Sequence, residues 1–189
     1  MKPNHSVSIH SQFELINRSY NKEEFIEYLK SLNVKWIKTN KKIEYANIPC
    51  VVDIESSSFI DTNNEKTAIM YCFTFGVNGA SYLGRTYDDL FDIIDQTIQI
   101  LGVEPNRRII VYIHNLGYEF QFFYKRFAWN KVFAINPRTP CTAITSDGVE
   151  FRCSLLLSGY SLAKVGEHLQ KYKVEKKIGD LDYSKIRHS

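Results

Sequence analysis

Apolar positions along the chain follow two periods, one typical of helices and one typical of strands. The segment NKEEFIEYLKSL repeats apolar residues every three to four positions and begins with Asn21, a residue type favoured at helix N-caps. After it, VKWIKT and KIEYA are predicted to be short strands around the turn TNKK. The first 20 residues are polar and are expected to be partly loose. We therefore expect residues 1–48 to form a small α+β appendage.

The predicted core begins with IPCVVDIE, whose β-branched run is typical of a strand covered on both faces. TAIMYCFTFGV is predicted to be the second strand and SYLG the third, because Asn78 and Gly79 between them form a hairpin turn signal. These three strands make a meander. A helix is predicted next, with Thr86 and Asp89 as a capping pair and Gly102 at its end.

The rest of the predicted core alternates strands and helices. RRIIVYIH is predicted to be a buried strand, and NLGYEFQFFYKRFAW turns into a helix after it. Two weaker strands around AITSD and GVEFRCS precede a last helix over SLAKVGEHLQKY. This order of elements predicts an α/β fold with an RNase H-like mixed sheet flanked by helices.

Composition and charge narrow the class of protein. At 44% hydrophobic residues, and with no apolar run long enough to span a bilayer, the chain is expected to be soluble, without a membrane partner. Its N-terminus lacks the apolar core of a secretory signal, so an intracellular location is expected. The four cysteines stand singly, which favours reduced thiols over a zinc or redox motif. A net charge of +3 does not by itself indicate nucleic-acid binding.

Asp53 and Glu55 stand two residues apart on a predicted strand, so their side chains share one face. Burying two such carboxylates unpaired costs on the order of several kcal/mol, which calls for compensation. Glu119 follows a later strand, and it reaches the same patch if the two strands are neighbours. Converging carboxylates are typical ligands of Mg²⁺ or Mn²⁺. Two such ions can clamp the attacking and leaving oxygens of a phosphodiester.

Each of these residues also has an ordinary structural explanation. The D-x-E pair alone is weak evidence and can be a partly exposed pair of acids. Glu119 can be a helix-entry acid favoured by the helix dipole, and His114 a hydrogen-bonded structural histidine. Asn115 can be a turn residue or an N-cap, and Tyr118 can pack in the core. Only the combination favours a functional site.

Three segments together resemble the 3′-5′ exonuclease domain of family B DNA polymerases, in particular the protein-primed branch of phages and organellar plasmids. They are VVDIESSS, YIHNLGYEFQFF and FRCSLLLSGYSLAKVGEHLQKYKVEKKIGDLDYSKIR, and the resemblance covers residues 49–189. The D-x-E strand resembles the first exonuclease motif of that family, and H-N-L-G-Y-x-F resembles the second. The resemblance implies an RNase H-like domain that hydrolyses a single-stranded DNA 3′ end in viral DNA replication, within the cytoplasm of a bacterial host.

Roles follow from this resemblance residue by residue. It implies that Asp53, Glu55 and Glu119 bind metal and that Lys177, or its neighbour Lys176, steadies the scissile phosphate. The family usually has Asp where this chain has Glu119, which keeps the charge but lengthens the side chain by a methylene. Positions that hold the DNA strand in the family are matched by Ser56, Asn115, Tyr118, Ser154, Leu155 and Lys176.

The family's third exonuclease motif, a Tyr followed at helical spacing by an Asp, is expected beyond Ser189. Asp180, Asp182 and Tyr183 precede the helix that should carry this motif, so they do not replace it. The resemblance therefore implies the front part of a polymerase, as a truncated product, a fragment or half of a split enzyme. Its partners would be the rest of the polymerase and a terminal priming protein. Two alternatives remain, a non-catalytic DNA-binding or replication-interaction module and an RNase H-like nuclease unrelated to polymerases.

Overall fold

The computed structural model describes residues 16–39 and 42–169. The helices of these ranges are α1 (Lys22–Ser31), α2 (Tyr87–Leu101), α3 (Leu116–Phe123), α4 (Ser154–Ser158) and α5 (Leu162–His168). The strands are β1 (Ile16–Ser19), β2 (Trp36–Lys38), β3 (Glu44–Ala46), β4 (Cys50–Ile60), β5 (Lys66–Val77), β6 (Ala80–Gly84), β7 (Arg107–Ile113), β8 (Trp129–Asn136), β9 (Thr139–Thr145) and β10 (Val149–Cys153). No helix in this part of the chain is both long and apolar enough to cross a membrane.

The strands form one mixed sheet with the order β1-β6-β5-β4-β7-β10-β9-β8. The central strand β4 is antiparallel to β5 and parallel to β7, with Val51 beside Tyr112. β10 is parallel to β7 on its other side, and β3 joins the end of β7 in the same direction. In the β4–β5 pair the register shifts at a β-bulge between Glu55 and Ser56. The predicted α/β fold with a mixed sheet flanked by helices is thus confirmed.

Helices α1, α2 and α3 pack against one face of this sheet. The ring of Phe25 on α1 contacts Tyr82 on β6 at 4.8 Å between centroids, and the ring of Phe123 on α3 contacts Phe151 on β10 at 5.2 Å. Side chains that alternate with the buried ones point to the opposite face. There Val51 is 47% exposed, so the prediction that β4 is buried on both faces is wrong.

The helix signals in the sequence predict the observed boundaries well. The Asn21 side chain accepts a hydrogen bond from the Glu24 N–H at 3.0 Å, and α1 begins at the next residue. Thr86 and Asp89 form a reciprocal capping box at the start of α2. Gly102 ends that helix in the left-handed region at φ 66°, which costs glycine little. These three predictions are confirmed.

One prediction about local structure is wrong. The helix predicted through Trp129 ends at Phe123, and residues 129–136 form the edge strand β8 instead. The ring of Phe151 contacts those of Phe123, Phe127 and Trp129. The aromatic residues whose spacing predicts one long helix therefore pack together in one core cluster, although they lie on different elements. Of the first 20 residues, which are expected to be partly loose, residues 16–19 form β1, which pairs with β6, and residues 1–15 lie outside the described residues.

The described part of the predicted appendage shares the core of the main domain. Phe25 and Leu29 of α1 are buried, β1 extends the sheet through β6, and β3 extends it through β7. Burial of these side chains ties the stability of residues 16–48 to that of the sheet. A domain boundary at residue 48 stays a prediction.

Candidate active site

The parallel pairing of β4 and β7 brings the first two exonuclease-like segments together. Cys50 lies beside Val111 and Val51 beside Tyr112, so the chain runs on toward Asp53 from β4 and toward His114 from β7 in the same direction. The chain leaves β7 at this point and enters α3, whose first turn contains Glu119. The condition for convergence, that these two strands are neighbours, is therefore met.

Glu119 is the buried member of the three acids. Only 4% of its surface is exposed, and its Oε2 atom is buried without a hydrogen-bond partner. Burial, assisted by the charges of Asp53 and Glu55, raises the pKa of Glu119 from its ordinary value of 4.5 to about 7, although a hydrogen bond to its own backbone N–H acts in the opposite direction. The three carboxylates therefore share one electrostatic environment.

The D-x-E pair is more exposed than the sequence suggests. Asp53 is exposed and Glu55 is half-buried. Water therefore screens much of the repulsion between their two charges. The buried carboxylate that needs compensation is instead Glu119. An unpartnered buried carboxylate oxygen is uncommon in folded proteins, because no hydrogen bond offsets the free-energy cost of removing it from water.

Carboxylate oxygens are the donors that Mg²⁺ and Mn²⁺ prefer, so the residues fit such an ion by chemistry. The Oε2 atom of Glu119 would gain a partner from it. In the present side-chain arrangement, however, no three His, Cys, Asp or Glu residues within 16–39 and 42–169 are grouped as a metal site. Holding an ion with all three acids would therefore require their side chains to move closer together.

Tyr118 and Ser56 link the two segments through their hydroxyl groups, which are hydrogen-bonded to each other. Tyr118 is 46% exposed, and its ring meets Phe122 edge-on at 5.5 Å between centroids. It is therefore not packed in the core. Almost half of its surface remains accessible to a planar ligand such as a nucleobase.

Asn115 and Gly117 shape the turn into α3. Asn115 occupies the N-cap position in the left-handed region at φ 77°, and its side chain makes no capping hydrogen bond. Asn tolerates this conformation better than most residues. A Cβ atom at Gly117 would lie 2.8 Å from the carbonyl oxygen of Arg138, so the first turn of α3 packs directly on the β8–β9 turn. This contact fixes where Tyr118 and Glu119 lie.

Ser154 connects α4 to the end of β7. Its hydroxyl donates to the Ile113 carbonyl oxygen at 3.4 Å and lies 3.1 Å from Nδ1 of His114. The neighbouring Leu155 is partly buried against the core. Ser154 thus contacts His114, in the segment that resembles the second exonuclease motif. The predicted residues Lys176 and Lys177 lie outside the described residues.

Two residues near the acids were not singled out from the sequence. Cys72 lies opposite Glu55 in the β4–β5 pair, and burial followed by the charge of Glu55 raises the pKa of its thiol, while Arg85 lowers it. Arg85 therefore brings a positive charge into this neighbourhood. The β4–β5 register depends on a bulge that no residue pattern marks, so the sequence carries no signal for this pairing.

Compared with known proteins, the chain matches no protein-family model and no curated protein.

Proposed function

We propose that this chain is the 3′-5′ exonuclease region of a viral family B DNA polymerase and hydrolyses single-stranded DNA 3′ ends with Mg²⁺ or Mn²⁺. The observation that carries the proposal is Glu119, a buried carboxylate with an unpartnered oxygen next to Asp53 and Glu55. A structural acid at the start of a helix has no need of this arrangement. A buried acid that shares its environment with two others suits cation binding.

The strand order supports an RNase H-like form of the fold. The central strands run β6-β5-β4-β7-β10, with β5 antiparallel to β4 and with β7 and β10 parallel to it. A meander, a helix and a parallel strand give this order directly. The acids of the proposed site lie on the central strand β4 and at the start of the helix that follows β7. Glu119 lies just beyond the point where β7 ends and α3 begins, and such junctions are common locations for active-site residues in α/β proteins.

Each proposed side-chain role follows from its chemistry. Asp53, Glu55 and Glu119 would hold the cations, which when bound supply an activated water and neutralise charge on the cleaved phosphate. The exposed ring of Tyr118 would stack on the terminal base, and Ser56 would bond to sugar or phosphate oxygens. The water oxygen forms the new bond to phosphorus, the bond to the preceding 3′ oxygen breaks, and a nucleoside monophosphate leaves.

A second function is favoured by one specific observation. Within the described ranges the acids are not already grouped as a metal site, which suits a module that binds DNA without cutting it. Such a module would retain the tyrosine, serine and asparagine contacts. In either case the rest of the polymerase and a terminal priming protein are the proposed partners.

A single assay separates these functions. The purified chain is incubated with a 5′-labelled single strand and Mg²⁺ or Mn²⁺, and shortening is followed over time. Stepwise shortening that disappears in the double variant Asp53→Ala with Glu55→Ala supports the exonuclease. Asp88→Asn, an exposed acid in the first turn of α2, is the matched control and should keep full activity.

The remaining outcomes assign the alternatives. Retention of the strand without shortening favours the binding module. Internal cuts, or cutting of RNA within a hybrid, would instead indicate an RNase H-like nuclease of another kind. Shortening that persists in the double variant would show that Asp53 and Glu55 take no part in the reaction.

A further inference from the structure

A cavity of about 440 Å³ lies away from the acids, between β3, β7, β10, β9 and β8. Its volume is in the range of about 300 to 1,000 Å³ typical of ligand sites. Among its lining residues are Tyr45, Arg108, Lys131, Phe133 and Glu150. Arg108, near the start of β7, precedes His114, the residue after its end, by six positions, so about 20 Å separates them at about 3.3 Å per residue. The cavity is therefore distinct from the proposed active site.

The cavity lies on the face of the sheet opposite α1, α2 and α3. Along β10, Phe151 points toward the aromatic cluster of α3, with its ring 5.2 Å from that of Phe123. Side chains alternate along a strand, so Glu150 and Arg152 point to the other face. Thr142 and Ile144 stand opposite these two residues on β9 and share that face.

Glu150 is buried at the base of the cavity and is fully engaged. Its Oε1 accepts from Arg152 at 2.6 and 2.8 Å, and its Oε2 accepts from the Tyr45 hydroxyl at 2.8 Å and from Arg108 at 3.3 Å. Burial raises the pKa of the Tyr45 hydroxyl, and its hydrogen bond to Glu150 raises it further. Tyr45 therefore remains a neutral donor. A carboxylate with both oxygens occupied does not recruit a further cation.

Positive charge is in excess around this carboxylate. Arg108 and Arg152 share the single charge of Glu150, and Lys131 at the cavity wall forms no ion pair with any residue of the described ranges. A pocket with this balance attracts anions, most strongly where the walls exclude water. Phosphate and carboxylate groups are the anions that arginine and lysine side chains bind best.

The apolar part of the cavity wall narrows the class of ligand further. Phe133 lines the cavity and is 58% exposed, so a ring face is open next to the cationic groups. Ile144 adds an aliphatic surface at the same level of the sheet. A ligand that uses both features carries a planar ring and a negative charge, whereas an acidic peptide would leave the aromatic face without a matching group.

We propose that this cavity binds a nucleotide unit, with its phosphate near Lys131 and Arg108 and its base against Phe133. The unit can be a free nucleotide or one nucleotide within a single strand, because both present the same chemistry. Binding here needs no divalent cation and no cleavage. It is therefore independent of the function proposed for the acids.

The test measures binding of thymidine monophosphate and of a twelve-residue oligo(dT) by calorimetry, in EDTA so that no metal-dependent cleavage occurs. Lys131→Gln and Phe133→Ala alter exposed side chains and are expected to leave the fold intact. Each should weaken binding. Phe133→Ala, which loses the stacking ring, should do so by roughly 5- to 100-fold. Binding of both ligands assigns the cavity to free nucleotides, and binding of the oligonucleotide alone assigns it to a strand.

Matched controls separate this cavity from general charge and from the acids. Lys66→Gln removes an exposed lysine at the start of β5, and Val132→Ala trims an exposed apolar residue next to Phe133 in sequence. Both should bind the two ligands like the wild type, and because EDTA removes divalent cations, the acids of the proposed active site hold no cation that could bind either ligand. Failure of both ligands to bind at millimolar concentration would overturn the proposal, and so would binding that Lys131→Gln and Phe133→Ala leave unchanged.

Discussion

The hydroxyl of Ser56 on β4 and the hydroxyl of Tyr118 on α3 are hydrogen-bonded to each other, across 62 residues of sequence. This contact joins the strand that contains Asp53 to the helix that contains Glu119. It also holds the phenol at its tip while the ring remains half-exposed. A base that stacks on this ring would therefore meet a ring whose orientation is already fixed.

Replacing Tyr118 tests whether its ring contacts DNA. Tyr118→Ala should weaken binding of a single-stranded 3′ end by about 1 to 3 kcal/mol, because a stacking surface is lost. Tyr118→Phe retains the ring and should bind nearly as well as the wild type. Fluorescence anisotropy of a labelled oligonucleotide in EDTA measures both. Equal affinity of all three proteins would mean that the ring does not touch the strand.

The raised pKa of Glu119 predicts a pH-dependent stability in metal-free buffer. Because its folded pKa of about 7 lies above its ordinary value of 4.5, the folded protein binds this proton more tightly than the unfolded chain. The resulting stabilisation is complete below pH 4.5 and is lost as the pH rises through 7. The loss amounts to about 3 kcal/mol in the free energy of unfolding.

Glu119→Gln isolates this effect. The amide does not ionise, so above pH 7 the variant should be more stable than the wild type by up to about 3 kcal/mol, with a difference that shrinks toward pH 4.5. Urea denaturation in EDTA at several pH values measures the difference. Glu65→Gln, an exposed acid in the β4–β5 turn, is the control. A stability difference between Glu119→Gln and the wild type that does not vary with pH would show that Glu119 is not the titrating group.

Divalent cations should stabilise the folded chain through the same acids. At a Mn²⁺ concentration one hundred times its dissociation constant, the free energy of unfolding rises by about 2.7 kcal/mol. The thermal midpoint should therefore increase with Mn²⁺ in the wild type and in Asp88→Asn, but not in Asp53→Ala with Glu55→Ala. A midpoint that rises equally in all three proteins would point to cation binding elsewhere.

Gly117→Ala should displace the first turn of α3. The added methyl would lie 2.8 Å from the Arg138 carbonyl oxygen, which is closer than atoms of this type normally pack. Overpacking of this kind costs about 1 to 3 kcal/mol, which exceeds the gain of up to about 1 kcal/mol in helix propensity. Urea denaturation should show the net loss, and DNA binding should fall as Tyr118 shifts. Gln121→Ala, an exposed position of the same helix, should change stability by less than about 0.5 kcal/mol.

Local signals in the sequence predict much of the fold. Asn21 and the Thr86–Asp89 pair mark helix starts because each satisfies backbone N–H groups within its own turn, which needs no distant partner. The Asn78–Gly79 turn likewise fixes the β5–β6 hairpin, with Val77 paired to Ala80. Elements with local causes are therefore predictable one at a time.

Features with distant causes are not predictable in this way. The aromatic residues between Phe120 and Trp129 have helical spacing, yet the helix stops at Phe123 because Trp129 completes the cluster around Phe151 from a strand. The D-x-E pair indicates acids on one face, but only the packing of α3 shows that Glu119, and not the pair, is the buried one. No pattern in the sequence marks Lys131 and Glu150 as neighbours, since the cavity that they line exists only after five strands assemble.

The bulge between Glu55 and Ser56 divides β4 into two mechanically different halves. Beyond it, residues 56–60 pair only with residues 66–70 among the described strands, so this end is a two-stranded ribbon. Such a ribbon bends more easily than a strand held within a wide sheet. Asp53 thus lies on the side of the bulge that the wide sheet anchors and Ser56 on the more compliant side, so a proposed metal ligand and a proposed strand contact differ in how rigidly the sheet holds them.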